Sequence, residues 1–197
     1  MKSIKALSVA ALVALTATAF VGATLARAES TALCGIDESP CSTNNQVTHI
    51  HLVATKATLL TAIVNAECSA LFLGETSASL AAPLVIKGAF TLSNCSHSCT
   101  VTEENGPAEI SLLRTGHEAA SVLGKILVHI SCSSLLNCKY VGENLEGFAK
   151  GPLLAGAENG ENSLLEQVMT NEGGFFCPKT ARLDIAVSSL FPLYIAQ

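Results

Sequence analysis

The sequence has 197 residues, a formal charge of −5, and only 14% charged residues against 49% hydrophobic ones. That length is about one domain, and its few Lys and Arg are singly spaced, which argues against nucleic acid or an anionic lipid surface as partner. Trp is absent and Tyr occurs twice, which weakens sugar recognition by aromatic stacking.

Met1–Lys5 is basic, Ala6–Leu25 is apolar and uncharged, and Ala26, Arg27 and Ala28 fit a small-x-small cleavage pattern. The reading is a signal peptide over 1–28 and a single secreted β domain over 29–197. The alternative is a membrane anchor retained through residues 6–25. Leu33 before Cys34 argues against a lipoprotein signal. Cleavage removes Lys2, Lys5 and Arg27 but no acid, and moves the formal charge from −5 to −8. The remaining 169 residues (197 less 28) are enough to bury a real core.

All eight Cys follow the leader, and an even number in an exported chain reads as a disulfide set. Proximity along the chain suggests Cys34–Cys41, Cys95–Cys99 and Cys132–Cys138, which leaves Cys68–Cys177. In the chain-entropy model the three local bridges contribute roughly 2 to 2.5 kcal/mol each and the long one about 4.8 kcal/mol.

Residues 29–46 read as an irregular lead rich in Gly, Pro, Ser and Asn. Val47–Thr55 is β-branched and reads as a strand. Residues 57–73 fit either a helical stripe or a strand, and strand is favoured by the β neighbours. Phe90 and Leu92 share a face, and Cys95–Cys99 reads as the turn of a hairpin returning through Thr100–Thr102. The stretch Glu103–Pro107 is turn punctuation. Ile126–Val141 is a second such hairpin, with Ile126, Val128, Ile130 and Cys132 on one face. Glycines recur between 142 and 160 and break the chain. Residues 162–170 are left open between strand and helix, because Ser163 and Glu166 fit a capping box. Arg182–Ser188 alternates, and Leu193–Ala196 ends the chain. About nine short strands without βαβ spacing predict an all-β, antiparallel, Greek-key-type β-sandwich stapled by disulfides, with a small β-barrel as the alternative.

Few residues suggest chemistry. His97 between Cys95 and Cys99, and the His49–His51 pair on one strand face, are weak metal-ligand candidates; a stapled turn and a polar strand face are the simpler readings. No cofactor is indicated. Gly-x-Ser-x-Gly, His-Glu-x-x-His and phosphate-binding glycine loops are all missing, and Ser121 stands where Gly116–Glu118 would need a second His. Should an acid–base site exist, His117, Glu118 and His129 are the first residues to test.

Five elements carry a resemblance: Val64–Cys68, Phe90–Val101, Cys132–Tyr140, Phe176–Pro178 and Pro192–Tyr194. With the leader, they resemble uncharacterised exported, cysteine-containing all-β proteins of high-GC actinobacteria. That resemblance implies a secreted all-β domain and transfers no catalytic residue. The expected function is a secreted or envelope-associated, non-enzymatic binding or structural protein with an extracellular or envelope partner. The alternatives are a hydrolase-like secreted enzyme, or an inhibitor-like protein presenting loops stapled by Cys95–Cys99 or Cys132–Cys138.

Overall fold

Alternation governs the long strands. In residues 66–72 the even positions Ala66, Cys68, Ala70 and Phe72 are buried, while Asn65, Glu67, Leu73 and Glu75 are exposed. One face therefore packs inward and the other meets water. The computed structural model describes residues 30–104, 106–116, 119–132, 136–150, 163–174 and 176–197. Among them are twelve strands: β1 (Ala32–Cys34), β2 (His49–Leu60), β3 (Asn65–Glu75), β4 (Leu84–Ser93), β5 (Cys99–Glu103), β6 (Ala108–Gly116), β7 (Ala119–Cys132), β8 (Leu136–Lys150), β9 (Ser163–Gly173), β10 (Thr180–Ala186), β11 (Ser188–Ser189) and β12 (Tyr194–Ala196). A single 3₁₀ turn covers Ser96–Ser98.

The fold is all-β and antiparallel, and its sandwich-like layers enclose one main core. Hydrogen-bonded neighbours run β10-β9-β8-β7-β6-β4-β3-β2, and β2 also pairs with β10, which closes these eight strands into a ring. Closure removes the long free edges that would otherwise template pairing with another chain. β1 and β12 form a separate two-stranded sheet, with Leu33 opposite Ile195. The expected irregular lead thus contains a buried strand, tied down by Cys34–Cys41 and by the Cys41 N–H donating to Gln197 O at 2.8 Å.

Strand is the outcome for both ambiguous stretches. Residues 57–73 are the end of β2, a bend, and most of β3. Thr61 makes the bend: its hydroxyl oxygen accepts from Val64 N at 2.9 Å, and its backbone N–H donates to Val64 O at 2.9 Å. Residues 163–173 form β9 because Ser163 pairs with Ala186 of β10 rather than capping a helix. β8 runs straight through Gly142 and Gly147, contrary to the expected break. Gly142 lies beside an irregularity in the β7–β8 register, and the Leu145 side chain occupies the space a Cβ there would need, 2.6 Å from it. The leader 1–28, the anchor alternative 6–25, the second hairpin tip at 133–135 and the glycines of 151–160 lie outside the described residues.

Three of the four expected disulfide pairings are corrected. Cys34–Cys41 is present, but the others are Cys68–Cys95, Cys99–Cys132 and Cys138–Cys177. Register is the reason. Cys99 sits directly opposite Cys132 in the β5–β7 ladder, with Cα atoms 4.1 Å apart. Closeness in sequence carries no such geometry. The upstream hairpin is corrected with them, because β5 pairs with β7 and not with β4. Left-handed backbone at Asn94 (φ 53°), His97 (φ 58°) and Ser98 (φ 54°) turns the chain away from β4. The downstream hairpin is as expected: β7 and β8 pair from Ala119–Lys150 to Cys132–Leu136.

Candidate functional site

The displacement of β5 leaves a split in the wall. β4 pairs with β6 only over Leu84–Gly88 and with β3 over Lys87–Ser93. From Ala89 to Ser93 it therefore has a strand on one side only. β5 likewise has only β7. Both edges are clamped outward: Cys95, just past β4, is bonded to Cys68 of β3, and Cys99, opening β5, to Cys132 of β7. No disulfide crosses the gap. At the other end Glu103 bridges it. One carboxylate oxygen accepts from Phe90 N at 2.5 Å and the other from Ala108 N at 2.6 Å. A side chain thus substitutes for the missing ladder and satisfies two backbone donors.

A groove of about 490 Å³ marks the split outside, lined by Thr91, Thr102 and Glu103 among others. Behind it lie two apolar spaces. The first, about 40 Å³, is bounded by Ala57, Leu59 and Val128; the second, about 70 Å³, by Ile50, Ile86 and Leu112. Phe90, Ile110 and Ile185 border both. Phe90, Leu92 and Val101 border both the outer groove and the first space, so these three side chains form a common wall between groove and interior. The surface facing both spaces is almost wholly apolar. Phe90, Leu92, Ile110 and Leu183 are only partly buried although they pack on the core. Phe90 stacks at a tilt on fully buried Phe72, ring centroids 4.7 Å apart. Such a lining suits hydrocarbon and gives a charge nothing in exchange for its hydration.

The candidate ligand and acid–base residues are scattered. His49 and His51 point outward from β2. His49 lies 3.9 Å from Glu75 and His51 faces the Phe191 ring, centroids 6.3 Å apart. His97 is exposed, its Nδ1 3.1 Å from the Ser96 hydroxyl. The same hydroxyl accepts from Glu67 N at 3.0 Å, which ties the turn to β3. Among the described residues, Cys34, Glu38 and Cys41 cluster like metal ligands, but the two sulfurs are bonded to each other. Hydrogen bonds from the Ser42 hydroxyl and then Asn45 hold the Glu38 carboxyl below the usual range.

His117 and Glu118 lie outside the described residues, but His129 does not. Its Nδ1 is 3.4 Å from Glu104, its Nε2 hydrogen-bonds Asn137, and Lys139 Nζ is 2.5 Å from the other Glu104 oxygen. The Lys139 hydrogen bond is the main reason the Glu104 carboxyl ionises below its ordinary value. This network lies on the outer face of β7 and β8 and borders none of the four spaces described. A wider open groove of about 730 Å³ crosses the outside of β6–β8 beside exposed Phe148.

Sequence reasoning placed Phe90 and Leu92 on one face but missed the split and Glu103. The only available signal was a Glu closing a short strand beside a Gly-Pro turn. Comparison with protein-family models, with curated proteins and with solved structures finds no match in any of the three.

Proposed function

We propose that this chain is an exported, non-enzymatic binding domain whose ligand occupies the apolar interior of the strand ring. The observation that carries it is the pair of apolar spaces sharing Phe90, Ile110 and Ile185, directly behind an unpaired length of wall. Four disulfides and the leader pattern support export. No helix among the described residues is long and apolar enough to cross a membrane. The enzymatic alternative looks to His117, Glu118 and His129; the first two lie outside the described residues, and both ring nitrogens of His129 are engaged, by Glu104 and Asn137, with none of the four spaces described bordering it. The inhibitor alternative loses its stapled loops, since neither Cys95–Cys99 nor Cys132–Cys138 forms.

Thermal unfolding with a panel of uncharged apolar compounds, benzene and 1-decanol included, tests the proposal. A true ligand at about a hundred times its Kd should raise Tm by about 5 to 10 °C. Ala57→Ile fills the first space, and should abolish that shift while costing only about 1 to 3 kcal/mol of stability. A panel without any shift, or a shift that survives Ala57→Ile, contradicts it.

A further inference from the structure

We infer that the open groove outside β6–β8 is a second binding site, and that its occupant is a stretch of an uncharged polysaccharide. The site is separate from the interior one and does not depend on it. Strand register builds it. On the outer face Ser111 pairs with Leu123 and Leu123 with Glu146; one row along, Leu113 pairs with Ser121 and Ser121 with Phe148. All six residues line the groove of about 730 Å³. Apolar and polar side chains therefore alternate both across the strands and along them. A sugar ring carries the same alternation, with C–H faces and a hydroxyl rim. Phe148 and Leu123 are exposed, and the Phe148 ring supplies the stacking face that a chain without Trp and with two Tyr gave little reason to expect.

The lining disfavours other occupants. A hydrocarbon would strip water from Ser111, Ser121 and Glu146 and offer them no hydrogen bond in return. A peptide strand needs a free ladder edge, and β7, central to the groove, is already paired with β6 on one side and β8 on the other. An anionic chain needs cations. Among the described residues Glu146 is the only charged one lining the groove. The lysines of the neighbouring row face carboxylates: Lys87 lies 3.7 Å from Glu109 and Lys125 3.5 Å from Glu143. A neutral sugar carries its donors and acceptors on its rim, within reach of side chains. The Ser121 hydroxyl donates to Leu113 O at 3.3 Å, and its oxygen can still accept from a sugar hydroxyl. Glu146 N donates to Gln167 Oε1 at 2.7 Å, which holds that amide at the groove's rim.

The volume selects a chain over a single sugar. A cavity of roughly 150 Å³ holds one benzene ring, so the groove seats about four six-membered rings with little room to spare for their hydroxyls.

The lack of Trp supplies the test. Phe148→Trp places a single indole in the groove and keeps a stacking face. Its fluorescence is titrated with cellotetraose, maltotetraose and N-acetylchitotetraose. The expected result is saturable binding of at least one of them, with its monosaccharide at least about tenfold weaker. Calorimetric titration of that tetrasaccharide should show binding to the parent protein, and a loss of about tenfold or more in Phe148→Ala. Phe148 also borders the second interior space, so Leu123→Ala, which touches the groove and neither interior space, should weaken binding as well. Tetragalacturonate should bind at least about tenfold more weakly, and Glu146→Gln should narrow that gap. Urea unfolding of each variant establishes that it is folded. No saturable binding of any tetrasaccharide, binding that survives both Phe148→Ala and Leu123→Ala, or tetragalacturonate binding as well as the neutral chains overturns the inference. A fluorescence response to 1-decanol alone gives the groove to an apolar occupant, and self-association abolished by Leu123→Ala gives it to a second copy; either result also overturns it. Ala57→Ile should leave the sugar affinity unchanged, so the interior reading and this one stand or fall separately.

Discussion

Replacing Cys99 and Cys132 together with alanine is expected to lower the unfolding free energy by about 4 kcal/mol, most of it through the unfolded chain. The bridge spans a sequence separation of 33, and in the chain-entropy model a loop of that length is worth about 3.8 kcal/mol. Cys138–Cys177, with a separation of 39, should cost about as much, and Cys34–Cys41, with a separation of 7, about 2.5 kcal/mol. Urea unfolding measures the difference. The double variant also discriminates between pairings without any energetics. With Cys99 bonded to Cys132, their joint removal leaves every other Cys paired and no free thiol. Had the sequence neighbours been bonded, Cys95 and Cys138 would both be left reduced. A thiol titration that finds two free thiols, or a loss below about 1 kcal/mol, would contradict the observed connectivity.

Phe72→Ala is expected to cost about 3 to 5 kcal/mol. Phe72 is 1% exposed, and its ring lies over a notch made by two glycines, Gly74 and Gly88, that face each other in the β3–β4 register. A Cβ on Gly88 would overlap Leu73 O and come within 2.5 Å of Gly74 Cα and 2.7 Å of Phe72 Cζ. Two of those three obstacles are backbone and cannot turn aside, so Gly88→Ala should cost about 3 kcal/mol by forcing β3 and β4 apart. These effects reach the interior through Phe90, which Phe72 supports. Phe72→Ala should therefore weaken the fold while enlarging the cavity, and bind benzene more tightly than the parent does. Chemical unfolding and calorimetric titration read the two effects separately. A stable Phe72→Ala protein, or one with unchanged benzene affinity, would remove Phe72 from the role given to it here.

Local pattern made the strands legible. Ile126, Val128, Ile130 and Cys132 alternate inward as their spacing implies, and the β7–β8 hairpin follows. Contacts between strands far apart in sequence were not legible. Nothing between residues 95 and 99 reveals that Cys99 will face Cys132, because the partner is chosen by the register of β5 on β7. The same holds for Glu103. Its charge and its place before a turn fit an exposed loop, and only the three-dimensional arrangement brings Phe90 N and Ala108 N to its two oxygens. The interior spaces escape notice for another reason: Phe90, Ile110 and Ile185 read as ordinary core positions, and incomplete packing among them leaves no mark on composition.

Nuclear Overhauser contacts from bound ligand protons, recorded with whichever of 1-decanol and benzene gives the larger thermal shift, locate the ligand directly. The expected result is contact with Phe90, Ile110 and Ile185, the three side chains that border both interior spaces. Contacts confined to exposed Phe176, Phe191 or Leu73 would place the ligand on the outer surface and contradict an interior binding site.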